Sequence, residues 1–298
     1  MEVEPVSTVS MPLVSIGLPV YNGERFIQRA LDSLLAQDYS NWELIISDNA
    51  STDRTGELCL ACQAKDGRVH YYRNAANIGM MSNFKRTLDL AAGEYFMFAA
   101  YDDRWSPQFI SALLSDLRLH PESQVAMSAL DIVDEEGQLV KPVRLDQGDK
   151  SPNQLGYFAM LLRLMTMWGG STKSHHYYFY GLFRRKFLQQ AYCYYVDTAF
   201  GDRMFVALLA LLTPFRYVPR TLFYKTRHPD DLIHRHPAEN FTRVFRSSSR
   251  LFLTTFTIFS MIWRCPFVPF SRKLFAPVAM LGMAKITFVW MARYWRTL

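Results

Sequence analysis

Two adjacent carboxylates, Asp102 and Asp103, end a short apolar run, and Trp105 and Pro107 follow them. Like charges side by side repel unless a cation or solvent screens them. At the end of a buried strand such a pair suits a divalent ion, and the ion suits a diphosphate. Other stretches offer chemistry that fits. In Pro19-Val20-Tyr21-Asn22-Gly23-Glu24 an aromatic can stack on a base and a carboxylate can accept from ribose hydroxyls. Asp48-Asn49 offers acceptors to a base edge, although Asx residues serve turns and caps equally well. Asp202 opens a helical stretch. A carboxylate there can act as general base for an acceptor hydroxyl, or simply favour the helix N-terminus. His228 is a candidate metal ligand, and Lys225 and Arg227 beside it are candidates for phosphate contacts. Asp230, Asp231, His234 and His236 lie close by, but their spacing matches no standard zinc pattern.

The elements that must position these residues follow from hydrophobic period. Residues 13–20 and 43–47 are apolar and β-branched, and 69–73 is a third short strand. Residues 24–37, 52–64 and 80–92 have helical character. A fourth strand runs into Asp102, and Pro107 sits where the next helix begins. Strand and helix alternate, which predicts an α/β fold with a doubly wound, largely parallel sheet. Such sheets bind ligands at their carboxyl rim. Beyond this, 123–143 reads as a hairpin around Asp134-Glu135-Glu136-Gly137. Residues 152–168 and 201–212 read as helices, 177–183 as an aromatic strand, and 215–225 as one or two short strands around Pro219.

Of the 298 residues, 50% are hydrophobic and 15% aromatic, so a substantial core is expected and disorder is not. The net charge of +6 is uneven: 240–298 holds nine Lys or Arg and no acid. Phe241, Phe245, Phe252, Phe256, Phe259 and Trp263 fall on one side of a helix, with Arg243, Arg246 and Arg250 opposite. That pattern predicts a tail lying in an anionic membrane interface, its arginines on headgroups. The other reading packs the tail on the preceding domain. Residues 274–292 are apolar, but Pro277 and Lys285 favour an in-plane or re-entrant segment over a span. Alternating aromatic and arginine faces suit lipid better than nucleic acid, and no nucleic-acid partner is expected. Cys59 and Cys62 form a lone CxxC inside a predicted helix, which points to idle buried thiols and a reducing compartment. No secretory signal is evident at the start.

Taken in order, four stretches resemble family 2 glycosyltransferases of the GT-A fold. They are VSIGLPVYNGERFIQRALDSLLAQDYSNWELIISDNASTDRT (14–55), NIGMMSNFKRTLDLAAGEYF (77–96), YDDRWSP (101–107) and GDRMFVALLAL (201–211). The resemblance implies a Rossmann-like, mostly parallel sheet flanked by helices. It implies a catalytic domain over 1–236, while the C-terminal amphipathic helical extension over 237–298, read from its period, lies outside the resemblance. It implies inverting transfer of a sugar from a nucleotide-diphosphate donor, aided by Mn²⁺ or Mg²⁺. Donor contacts would come from Pro19, Tyr21, Glu24, Asp48, Asn49, Asn83, Asp102 and Asp103. Asp102 and His228 would hold the metal, and Asp202 would be the base. The chain departs from the family pattern at Ala100 and Asn49, where acids are common, and at Gly201, where Glu usually precedes the base. Asn49 still offers a carbonyl to a base N–H, which favours UDP- or dTDP-sugars. The expected activity is hexosyl or deoxyhexosyl transfer to a glycan or polyprenyl-linked acceptor in cell-surface polysaccharide synthesis. The expected place is cytoplasmic, peripheral on the inner face of the plasma membrane. The rival reading, kept open by Ala100, is a GT-A-like nucleotide- or glycan-binding scaffold without catalysis.

Overall fold

Strand β1, Val14–Val20, is buried at every position, as an apolar run in the middle of a sheet must be. It pairs in parallel with β2 (Trp42–Asp48) on one side and β4 (Tyr95–Phe98) on the other, and β3 (Val69–Arg73) continues beyond β2. The computed structural model describes residues 11–144, 175–195, 201–228, 263 and 266–273. Predictions for 152–168, 241–262 and 274–292, and for a domain boundary at 236, lie outside the described residues.

Three helices cover this parallel half. Helix α1 (Ile27–Leu35) buries Ile27, Ala30, Leu31 and Leu34, the spacing of one helical face. Helix α2 (Thr55–Lys65) buries Cys59 and Cys62, and both thiols are free, as expected of a solitary CxxC. Burial raises the Cys59 thiol to about 12, which keeps it protonated and unreactive. Helix α3 (Met80–Leu90) turns Met81, Phe84 and Leu88 inward. One glycine makes the packing of α3 on β1 possible. A Cβ at Gly17 would lie 2.4 Å from Thr87 Oγ1 and 2.5 Å from Phe96 Cζ.

The second half of the sheet is mixed. The full order is β3, β2, β1, β4, β8 (Leu182–Arg184), β6 (Val125–Val133), β9 (Phe215–Thr226) and β5 (Arg104–Trp105), with β7 (Leu139–Val143) also paired to β6. After β5 (Arg104–Trp105) and helix α4 (Phe109–Leu119), the predicted hairpin forms from β6 (Val125–Val133) and β7 (Leu139–Val143). Residues 177–183 depart from the strand prediction: His175–Tyr180 is a 3₁₀ helix, and only Leu182–Arg184 (β8) pairs, antiparallel to β4. An unbroken aromatic run carries no alternation, and Tyr178 and Phe179 are buried in the core instead of lying in a sheet. Phe179 stacks on Phe98 at 4.9 Å and packs edge-on against Phe84 at 5.5 Å. Helix α5 (Arg185–Tyr192) and helix α6 (Gly201–Leu212) follow. The region around Pro219 is a single strand, β9 (Phe215–Thr226), parallel to β6 with a register shift near that proline.

Candidate active site

The crevice lies between the carboxyl ends of β1 and β4. β1 pairs with β4 only as far as Gly17, so the two strand ends part beyond it. The proline at position 19 falls where that neighbour has stopped, and its missing N–H costs no ladder bond there. At this point the chain winds outward on both sides, through β2 and β3 one way and β4 and β8 the other, which makes it the switch point of the sheet.

Two loops form one wall. Asn22 has φ +50°, a left-handed conformation that Asn tolerates, and its backbone N–H donates to Ser51 Oγ at 3.0 Å. Its Oδ1 accepts from the Thr52 N–H at 2.8 Å. Gly23 N–H donates to Thr55 Oγ1 at 2.8 Å, and the Arg54 N–H donates to Glu24 Oε2 at 2.9 Å. The loop after β1 is thus stitched to the loop after β2. Gly23 is buried under Tyr101, whose ring would lie 2.8 Å from a Cβ there, so the loop after β4 closes on the same point. Tyr21 remains 44% exposed on this wall, its ring open to stacking.

Deeper in the wall the predicted donor residues serve the loop itself. Asp48 is fully buried: Oδ1 accepts from the Ser51 N–H at 2.8 Å, and Oδ2 from Tyr71 Oη at 2.6 Å and Arg73 Nη1 at 2.8 Å. Asn83 is also buried. Its Oδ1 accepts from Ser47 Oγ and Asn74 Nδ2, and its Nδ2 donates to the Ser47 carbonyl. Asn49 Oδ1 accepts from Asn74 Nδ2 and the Ile78 N–H, while its Nδ2 donates to Asn77 Oδ1. Asp48 and Asn83, both expected at the donor, thus hold the β2 loop against β3 and α3. Tyr71 and Arg73, which hold Asp48, carried no sequence signal, because their role depends on β3 lying beside β2.

The acidic pair divides. Asp103 is fully buried; Oδ2 accepts from Lys225 Nζ at 3.1 Å and Oδ1 from the Thr226 N–H at 2.9 Å. β5 pairs antiparallel with β9, and that pairing brings Asp103 onto the end of β9. Burial pushes the Asp103 carboxyl up to about 7 against the pull of Lys225. Burial also opposes the charge on Lys225, but Asp103 and then Asp102 outweigh it and hold the amine well above its ordinary range. Asp103 thus fastens the turn after β4 to the end of β9. Lys225, a candidate for phosphate, is its partner.

Asp102, at the end of the loop after β4, keeps 14% of its side chain exposed, and its Oδ2 lies 2.8 Å from His228 Nε2. The resemblance implies one metal for these two residues, and the fold brings their side chains within hydrogen-bond distance. Burial works against the Asp102 charge, yet Lys225 and the His228 hydrogen bond hold the carboxyl below its ordinary value. The bond to Asp102 raises the His228 imidazole to about 9; burial subtracts and Glu135 adds. His228 is thus a cation beside Asp102. A site that draws a proton between carboxylate oxygen and imidazole nitrogen offers a divalent ion the same two donor atoms. Among the described residues no group of three His, Cys, Asp or Glu side chains is spaced to hold an ion. One carboxylate and one imidazole would leave the remaining positions of an ion to substrate phosphates and water.

Asp202 is the second residue of α6, and its side chain lies outside the described residues. The helix itself is docked by Phe205, Val206 and Leu209, all buried, with Phe205 edge-on to Tyr192 at 5.4 Å.

A switch-point crevice with stitched βα loops and one acid at its mouth is the architecture of a GT-A fold. The model of the family described as glycosyl transferase family 2 matches residues 15–191, and the chain belongs to that family. Solved structures agree on the fold. Staphylococcus aureus TarS 1-349 in complex with UDP-GlcNAc superposes with a TM-score of 0.66 at 18% identity, covering 94% of this chain and 73% of that one. The mannosyltransferase PcManGT of Pyrobaculum calidifontis, in complex with GDP-Man and Mn²⁺, gives 0.55 at 16% identity, covering 93% and 74%. Among curated relatives, the colanic acid biosynthesis glycosyl transferase WcaA of Escherichia coli is 38% identical over 104 residues, 35% of this chain and 37% of the relative. The teichuronic acid biosynthesis glycosyltransferase TuaG of Bacillus subtilis is 35% identical over 94 residues, 32% of this chain and 37% of the relative. The chain spans less than half the length of both.

Proposed function

We propose that the protein is an inverting, metal-dependent glycosyltransferase. It moves a hexosyl or deoxyhexosyl group from a UDP- or dTDP-sugar to a hydroxyl of a glycan or polyprenyl-linked acceptor in cell-surface polysaccharide synthesis. The observation that carries this reading is the Asp102–His228 pair at the mouth of the crevice, 2.8 Å apart. The names of WcaA and TuaG support the polysaccharide context. The complexes of TarS with UDP-GlcNAc and of PcManGT with GDP-Man support a nucleotide-sugar donor.

In this reading Tyr21 stacks on the base, and Pro19, Glu24 and Asn49 shape the wall around base and ribose. Asp102 and His228 would hold Mn²⁺ or Mg²⁺, whose charge offsets that of the departing diphosphate. Asp202 takes the proton of the acceptor hydroxyl. The oxygen then forms its bond to the anomeric carbon while the bond to the diphosphate oxygen breaks on the opposite face. One experiment tests the assignment. A panel of nucleotide sugars with Mn²⁺ is screened by thermal stabilisation, and the best donor is then assayed for transfer and for hydrolysis. Asp202→Asn is expected to keep donor affinity by calorimetry and to lose transfer by about 10²–10⁴-fold. Donor binding by the wild type with neither transfer nor hydrolysis would favour the non-catalytic scaffold instead.

The basic, aromatic tail would rest in an anionic membrane interface. In the described part of the tail Trp263, Phe267 and Phe270 are exposed while Val268 is buried, an arrangement suited to an interface with lipid headgroups. Attachment would be peripheral, on the inner face of the plasma membrane, where a polyprenyl-linked acceptor would be met. Among the described residues no helix is long and apolar enough to cross a membrane.

A further inference from the structure

We propose that Glu135, in the turn between β6 and β7, is a positioning residue for His228: it holds the Nδ1 proton and thereby aims Nε2 at Asp102. The proposal rests on the reading of Asp102 and His228 as the pair that holds the ion. His228 Nδ1 lies 2.8 Å from Glu135 Oε1, and Nε2 lies 2.8 Å from Asp102 Oδ2, so the ring is clamped on both sides. A carboxylate only accepts, so the ring nitrogen facing Glu135 carries hydrogen. Where an ion takes the place of the Nε2 proton, an imidazole that keeps its proton on Nδ1 presents its lone pair at Nε2, and a carboxylate behind the ring makes that nitrogen a better donor.

Glu135 is itself fixed. Arg25 Nη2 donates to its Oε2 at 2.5 Å, and Arg29 Nη1 donates to its backbone carbonyl. Phe26, between those arginines in the chain, packs against the His228 ring with centroids 4.7 Å apart. The approach to α1, the hairpin turn and the end of β9 therefore converge on one imidazole. Register enforces the meeting: Val133 pairs with Thr226, and the Arg227 N–H donates to the Val133 carbonyl at 2.8 Å. The other two acids of the turn act differently. Asp134 closes the turn on the Gln138 N–H at 2.7 Å, and Glu136 is exposed.

The test uses the full chain with ¹⁵N-labelled histidine. Long-range ¹⁵N–¹H spectra with Mg²⁺ and UDP report which ring nitrogen of His228 is protonated, the resonance being assigned with His228→Gln. Electron paramagnetic resonance measures Mn²⁺ affinity in the presence of UDP. Glu135→Ala is expected to lose the Nδ1–H signature and about 10–100-fold in Mn²⁺ affinity. Glu135→Gln keeps an acceptor oxygen of the same reach, so it is expected to restore both, although it breaks the Arg25 ion pair. Unchanged tautomer and affinity in Glu135→Ala, or a Glu135→Gln as weak as Glu135→Ala, would overturn the role of Glu135 alone. Unchanged Mn²⁺ affinity in His228→Gln would overturn the ion-holding pair, and this proposal with it.

Discussion

Asp102 and Asp103 are neighbours in the chain with opposite fates. Asp103 is enclosed and salt-bridged to Lys225, so Asp103→Ala leaves a largely buried ammonium without its nearest anion. The expected loss is about 3 kcal/mol of stability, read as a lowered urea midpoint. Asp102→Ala removes a group at the crevice and is expected to shift the midpoint far less while abolishing Mn²⁺-dependent stabilisation by the donor. Equal destabilisation by the two substitutions would contradict this division. At the same scale, Asp48 shows how a residue with the right chemistry for a ligand also holds its own loop. Three donors surround its carboxylate before any base arrives.

Elements place these residues by close approach. α3 can lie on β1 only because position 17 has no side chain. Gly17→Ala forces a methyl onto Thr87 and Phe96 and is expected to cost about 2 kcal/mol, checked by equilibrium denaturation. An unchanged midpoint would mean that α3 rides up on β1 without penalty. The hairpin of β6 and β7 was legible from two β-like runs flanking an acidic turn. Its reach to His228 was not, because that depends on the parallel register of β6 and β9 across a long stretch of intervening chain. The strand expected over 177–183 is a 3₁₀ helix as far as Tyr180 for a related reason. An unbroken aromatic run carries no period, and only the core around Phe98 and Phe205 decides how it packs.

For the whole molecule, charge and aromatic exposure make a claim about place. The full chain is expected to sediment with vesicles containing anionic phosphatidylglycerol and not with neutral phosphatidylcholine vesicles. Replacing Trp263, Phe267 and Phe270 together by Ala is expected to reduce bound protein about tenfold or more. Equal sedimentation of the triple variant would show that these aromatics do not enter the lipid. Raised salt is expected to weaken binding as well, since nine basic residues without a counter-acid act at the length of screened charges.

Alternation of apolar strands and amphipathic helices was enough to reveal the α/β class, the carboxyl rim and the acid at its mouth. These are properties of local period, and period is written in consecutive residues. The tertiary structure decided which residues meet: Asp102 with His228, His228 with Glu135, Asp103 with Lys225, Asp48 with Tyr71 and Arg73. Each of these pairs joins separate strands or loops through sheet order and register. A side chain's freedom to meet a ligand depends on what already satisfies it, and spacing along the chain does not encode that.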